Sequence, residues 1–166
     1  MPPKTNEHTA TEFASSELKT RAVEDLSNHL EDFLSCYDQL DHNQLDLLGQ
    51  MYTNDVLFID PFHQIQGIES LSEYFSKLYQ NIDSLQFNFT ERFFSNNQAS
   101  VYWEMRFKHR RINRGNEVRF QGNSRLTFEA SGKVSHHQDY FDSAAMLYRN
   151  LPVLKQLISL IDGRLA

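Results

Sequence analysis

The chain holds a single cysteine, Cys36, among 166 residues. This excludes an internal disulfide and any cysteine-based metal cluster. Glycine and proline are scarce, at six and four residues, so no glycine-rich linker or proline-rich arm divides the sequence. No apolar run is long enough to cross a bilayer. Basic residues are outnumbered, 16 Lys and Arg against 22 Asp and Glu, for a net charge of −6. That balance argues against general binding to nucleic acid or to an anionic membrane. Met1 to Ser15 lacks an apolar h-region, which points away from a secretory signal and toward the cytoplasm. What the chain does have is aromatic surface: 13 Phe, seven Tyr and one Trp, enough to build a core or to wall an apolar pocket. Its length fits one domain.

Residues 1–15 are polar and without periodicity, and are read as a disordered tail. The single domain is placed at 16–166. Leu18, Ala22, Leu26, Leu30, Phe33, Leu34 and Tyr37 recur at helical spacing, which predicts one long helix starting at Ser15 or Ser16. A shorter amphipathic stretch covers Leu45, Leu48 and Met51-Tyr52. Val56 to Ile59 reads as a buried strand closed by Asp60-Pro61, since Pro61 holds Asp60 extended. Gly67 then precedes a third helix bearing Ile68, Leu71, Phe75 and Leu78. Beyond Ser84 the period becomes two. Four strands follow, around Leu85–Phe89, Val101–His109, Val118–Phe128 and Val134–Phe141, with turns at Ser95-Asn96-Asn97, Asn113–Asn116 and Ser131-Gly132. A helical extension is expected from about 143, interrupted at Pro152. Helices first and an antiparallel meander second define an α+β class, with helices covering one face of the sheet.

Three polar side chains stand among apolar ones. Asp60 ends a buried strand, and His137 and Asp139 share a face of the last strand with Phe141. A carboxylate in an apolar cavity is a candidate general base, and a histidine beside an aspartate is held in one tautomer.

The run Met51-Tyr52-Thr53-Asn54-Asp55-Val56-Leu57-Phe58-Ile59-Asp60-Pro61, then Gly67 and the helix reaching Phe75, resembles the nuclear transport factor 2-like superfamily, in its SnoaL-like and steroid delta-isomerase-like branches. Ser124 to Phe128, Ser131-Gly132-Lys133-Val134 and His136 to Asp142 are similar to that fold's closing hairpin. The resemblance spans about Ser16 to Asp142. It implies a curved antiparallel sheet forming a cone, covered by N-terminal helices, with a pocket inside. Asp60 with Pro61 matches the isomerases' general base. Their oxyanion-hole tyrosine falls on Cys36 by ungapped counting, with Tyr37 adjacent, and their oxyanion-hole aspartate falls on Ser124. Both departures count against steroid isomerase activity proper.

The reading is of a cofactor-independent pocket protein for a small apolar or cyclic molecule, isomerase- or cyclase-like, or else a lyase or hydratase, if it is catalytic. Asp60, His137 and Asp139 are the catalytic candidates. Tyr37, Phe58, Phe75, Trp103, Phe120, Ser124 and Phe141 are the candidate substrate-binding residues. No metal is expected, because a facial triad would need a second inward histidine and only His63 and His109 are at hand. Arg106, Lys108, Arg110, Arg111, Arg114 and Arg119 read as a solvated outer sheet face. The resemblance also implies a homodimer through the sheet. The alternative is a non-catalytic ligand-binding or regulatory module on the same fold. Water activation between two inward carboxylates would need an arginine of inward parity, which Arg106 and Arg125 lack.

Overall fold

Helix α1 runs from Glu7 to Gln39, further toward the N-terminus than Ser15. The structure, a computed structural model, describes residues 7–147 with Leu154 and Ile161, and side chains from residue 17 onward. Along α1, residues 17–25 are all exposed, while Leu26, Leu30, Phe33 and Leu34 are buried. Among the residues of this helix whose side chains are described, the buried ones therefore begin at Leu26. A turn of 3₁₀ helix at Leu45–Leu47 and the single-turn α2, Leu48–Met51, lead into β1, Tyr52–Ile59. A hairpin joins β1 to the short β2, Gln64–Gln66, and Gly67 opens α3, Ile68–Tyr79. Gly67 has φ 85°, the left-handed region that glycine enters without steric cost. Helix α3 buries Leu71, Phe75 and Tyr79, spaced by four along one face, each contributing about 1.5–3 kcal/mol by burial.

Strands β3 (Ile82–Ser95), β4 (Gln98–His109), β5 (Val118–Phe128) and β6 (Val134–Phe141) form the expected antiparallel meander. The whole sheet has six strands in the order β2-β1-β6-β5-β4-β3. One pair departs from the antiparallel expectation: β1 runs parallel to β6, with Phe58 beside His137. The chain leaves β1 through β2 and α3 and returns only after the meander, so the pairing has no local sequence signature. The register of β3 against β4 shifts between Phe89 and Arg92. Such a bulge bends and twists its strand and helps curl the sheet around the interior. The four-residue α4, Ser143–Met146, is capped by Asp142, whose carboxylate accepts from Ala144 N at 2.8 Å and Ala145 N at 3.1 Å. The expected C-terminal extension beyond Leu147 otherwise lies outside the described residues.

On the convex face three arginines pair with carboxylates. Glu104 accepts from Arg106 Nε at 2.9 Å and from Arg119 on the next strand. The Arg119 contact, ahead of Arg106, holds its carboxyl below the ordinary value of 4.5. Arg110 pairs with Asp83 at 2.9 Å.

Candidate functional site

The concave face encloses a cavity of about 580 Å³, inside the usual range for small-molecule sites. Its walls come from α1, α3 and every strand of the meander, and they are mostly aromatic. All ten site residues read from the sequence line it: Tyr37, Phe58, Asp60, Phe75, Trp103, Phe120, Ser124, His137, Asp139 and Phe141. Cys36 does not, and packs against the core instead. The ungapped count to Cys36 is thus one residue off from the side chain that reaches the interior.

Strand register places the polar group. Ser124 lies opposite Asp139, and Leu126 opposite His137, so period-two geometry turns Ser124, His137 and Asp139 to the same side. Tyr52, at the start of β1, puts its hydroxyl 2.8 Å from His137 Nδ1. His137 Nε2 lies 2.9 Å from Asp139 Oδ1. Ser124 Oγ donates to the same oxygen at 2.5 Å and accepts from Trp103 Nε1 at 2.8 Å. The indole donor is fixed, so it leaves the serine proton only one use, toward the carboxylate. At the other end, burial pushes the Tyr52 phenol well above its ordinary value of 10.0, so it stays a neutral hydroxyl beside His137 Nδ1. The Asp139 carboxylate can only accept, so Nε2 of the imidazole carries the proton given to it, and in the neutral ring Nδ1 accepts from Tyr52.

This chain has two consequences. His137 is 2% exposed with both nitrogens engaged, so it acts on Asp139 and has no free nitrogen for a ligand. Asp139 is 11% exposed at its side chain. Its Oδ2 has no hydrogen-bond partner among the described residues. The Tyr37 hydroxyl also lacks one there, and burial, then the charge of neighbours including Tyr52 and Asp139, pushes its phenol well above 10.0. A neutral phenol donor and a carboxylate oxygen thus line one apolar cavity, both without a hydrogen-bond partner among the described residues.

Asp60 is different. Its Oδ1 accepts from the backbone N–H of Phe62 and of His63, each at 2.7 Å. Its Oδ2 accepts from Tyr74 Oη at 2.7 Å. His63 Nδ1 lies 3.2 and 3.3 Å from the two oxygens. Aspartate followed by proline sets up a tight turn, and the aspartate caps it. Expected as a direct proton acceptor, Asp60 has both oxygens already occupied.

Sequence reading missed Tyr52 and Tyr74 as hydrogen-bond partners in this cavity, and named His63 only as a possible metal ligand. The Asp-Pro-Phe-His run was the available signal for His63, since a turn aspartate reaches the residues two and three further on. Nothing local marks Tyr52 as the partner of a residue 85 positions away. Among the described residues no three His, Cys, Asp or Glu side chains are grouped closely enough to hold a metal.

A six-strand curved sheet with helices over its mouth defines a nuclear transport factor 2-like cone. Within that class, residues 31–137 match the model of the SnoaL-like domain, and the chain belongs to that family. No curated protein sequence matches it. Solved structures show the same fold at low identity. An NTF2-like protein of unknown function from Burkholderia pseudomallei K96243 superposes with TM-score 0.65 at 15% identity, over 76% of this chain and 97% of its own. A protein assigned as a SnoaL-like polyketide cyclase from Jannaschia sp. CCS1 gives TM-score 0.63 at 15% identity, over 72% of this chain and 89% of its own. TerC, co-crystallised with polyporic acid, gives TM-score 0.61 at 15% identity, over 71% of this chain and 94% of its own.

Proposed function

We propose that the protein binds a flat, apolar cyclic molecule and moves a proton on it without a cofactor, as an isomerase or cyclase. The observation that carries this is that a carboxylate oxygen, Asp139 Oδ2, and a phenol, Tyr37 Oη, neither with a hydrogen-bond partner among the described residues, belong to the lining of one aromatic cavity. Asp139 Oδ2 takes a proton from carbon beside a carbonyl. The C–H pair forms the new C=C bond, and the carbonyl oxygen becomes an oxyanion that accepts from Tyr37. Return of the proton to a second carbon isomerises the substrate. Attack of the enolate carbon on a second carbonyl closes a ring. His137 and Ser124 hold Asp139 in place, and Trp103, Phe58, Phe75, Phe120 and Phe141 pack the ring and exclude water. The aromatic walls, and proteins of this fold named for cyclase activity or crystallised with polyporic acid, support this substrate class.

The test uses 5-nitrobenzisoxazole, an apolar bicycle. Removal of its C–H proton breaks the N–O bond and releases a coloured phenolate, with no other reactant. Wild type should turn it over, and Asp139→Asn should lower kcat/KM by about 100-fold or more. Equal rates in both proteins overturn the assignment of Asp139. Saturable binding without turnover in wild type instead supports the non-catalytic ligand-binding module.

The same reading includes a homodimer through the convex sheet face. Phe93, Tyr102 and Tyr140 are exposed there at 56%, 47% and 49%. Tyr102 and Tyr140 lie in one row through Asn123, and Phe93 packs edge-on against Tyr102 at 6.0 Å. Light scattering should give twice the 19.5 kDa chain mass, and Tyr102→Arg should return it to one. A wild-type mass of one chain contradicts the dimer.

A further inference from the structure

We propose that His63, oriented by Asp60, is a second proton-transfer group of the same cavity, stationed at its rim. This rests on the reading of the cavity as a proton-transfer site, and it narrows the ligand to one with two exchangeable positions. The loop Asp60 to His63 joins β1 to β2, because Ile59 pairs with Gln64. The Asp60 N–H donates to His63 O at 3.0 Å, and the Asp60 carboxylate caps the amides of Phe62 and His63. The turn is thereby closed on itself, and it presents the His63 ring next to Tyr74, at 5.1 Å between centroids.

The tautomer follows from chemistry. Both Asp60 oxygens are acceptors, so the imidazole atom facing them, Nδ1, must be the donor. In the neutral ring the lone pair then sits on Nε2, which has no hydrogen-bond partner among the described residues. His63 lines the cavity with its side chain 50% exposed, against 5% for Asp60. A carboxylate on one nitrogen and a free lone pair on the other is the arrangement of a positioned general base. His137 has the opposite arrangement, with both nitrogens consumed inside the wall. Asp60 is therefore a positioning residue and His63 the group that meets the ligand.

The two stations are neighbours in the fold. Phe58 and Ile59 of β1 pair with His137 and Gln138 of β6, so Asp60 and Asp139 continue adjacent strands side by side. Tyr74 donates to Asp60 at 2.7 Å, and burial first, then the contact with Asp60 and the charge of Asp139, disfavours its ionisation. A ring lying across this end of the cavity meets Asp139 Oδ2 within and His63 Nε2 at the rim. The fitting class is an apolar cyclic compound with an acidic C–H near one end and a hydroxyl or carbonyl oxygen near the other. Asp139 removes the proton from carbon. His63, once protonated from solvent, delivers a proton to the oxygen, or in the neutral state removes one from the hydroxyl.

Two measurements on the full chain test this. Long-range ¹H–¹⁵N correlation spectra should show His63 as the Nδ1–H tautomer, with Asp60→Asn shifting it to a mixture. With 5-nitrobenzisoxazole as probe, the residual turnover of Asp139→Asn should fall about tenfold further in Asp139→Asn/His63→Gln. An Nε2–H tautomer in wild type overturns the inference, as does residual turnover unchanged by His63→Gln. If Asp60→Asn does not fold, the wild-type spectrum and the His63→Gln comparison still decide. Full activity in Asp139→Asn removes the reading of Asp139 alone, since the His63 tautomer is measured without turnover.

Discussion

Gly122 shows how one missing carbon shapes the site. A Cβ placed there would lie 2.3 Å from the Trp103 ring, far inside van der Waals contact. The indole therefore lies across the glycine, and from that position its N–H reaches Ser124. Gly122→Ala must displace the ring, so it should cost about 1–3 kcal/mol by overpacking. Urea unfolding followed by the fluorescence of Trp103, the single tryptophan, measures this, and an unchanged midpoint contradicts it. Tyr52→Phe removes the buried donor of His137 and leaves Nδ1 unsatisfied. A loss of about 1–3 kcal/mol is expected, read from the same unfolding curve. At this scale much was legible. The inward parity of Trp103, Ser124, His137 and Asp139 followed from strand alternation alone. Their wiring did not, because Tyr52 reaches His137 through a parallel pair of strands distant in sequence, and no periodicity encodes such a pair.

Among the elements, β3 marks the limit of pattern reading. Its inward residues Leu85, Phe87 and Phe89 are odd-numbered, but beyond the bulge the inward partner of Ala99 is Phe94. The extra residue reverses the parity and throws Phe93 to the outside, where it is 56% exposed. A bulge leaves no mark in a run such as Thr-Glu-Arg-Phe-Phe, in which either parity offers an aromatic. The three-residue β2 was likewise too short to show alternation. Helix α1 was read correctly along its packed half, where the core imposes period 3.6. The distance from Tyr37 to Asp60 depends on the 3₁₀ turn at Leu45–Leu47, which ungapped counting cannot see. The exposure of residues 17–25 of α1 has a dynamic consequence. Amides at residues 18–25, outside the core contacts, should exchange with deuterium far faster than those from Leu30 onward. Equal protection along the helix would contradict the described packing.

For the molecule as a whole, the interior controls four of the seven tyrosines. Burial pushes Tyr37, Tyr52, Tyr74 and Tyr79 above the ordinary value of 10.0, and nearby carboxylates add to it. Unfolded phenols ionise first as pH rises, so the unfolded chain then holds fewer protons than the folded one. Stability should be intact below pH 10 and decline above it. Alkaline titration at 295 nm should show these four ionising only together with the loss of near-ultraviolet dichroism. Their release in the native state would mean that solvent reaches them. On the acid side, burial first, and then neighbouring positive charge, lowers His109 and His136 below 6.5. Their contribution is complete above pH 6.5 and is lost as pH falls through the lowered values, so His136→Gln should flatten the decline of Tm below that pH.

The same aromatic interior supplies the fold's core and the site's walls, which is why composition alone left core and pocket both open. The most direct test is calorimetric titration with 2-naphthol, a flat apolar ring carrying one hydroxyl. A saturable one-to-one heat is expected for wild type. Binding should weaken at least tenfold in Val101→Phe, which grows a ring into the hollow from a wall residue that is 1% exposed. Absence of saturable heat in the wild-type protein, or undiminished binding in the filled variant, would mean that the hollow is not where a ligand sits.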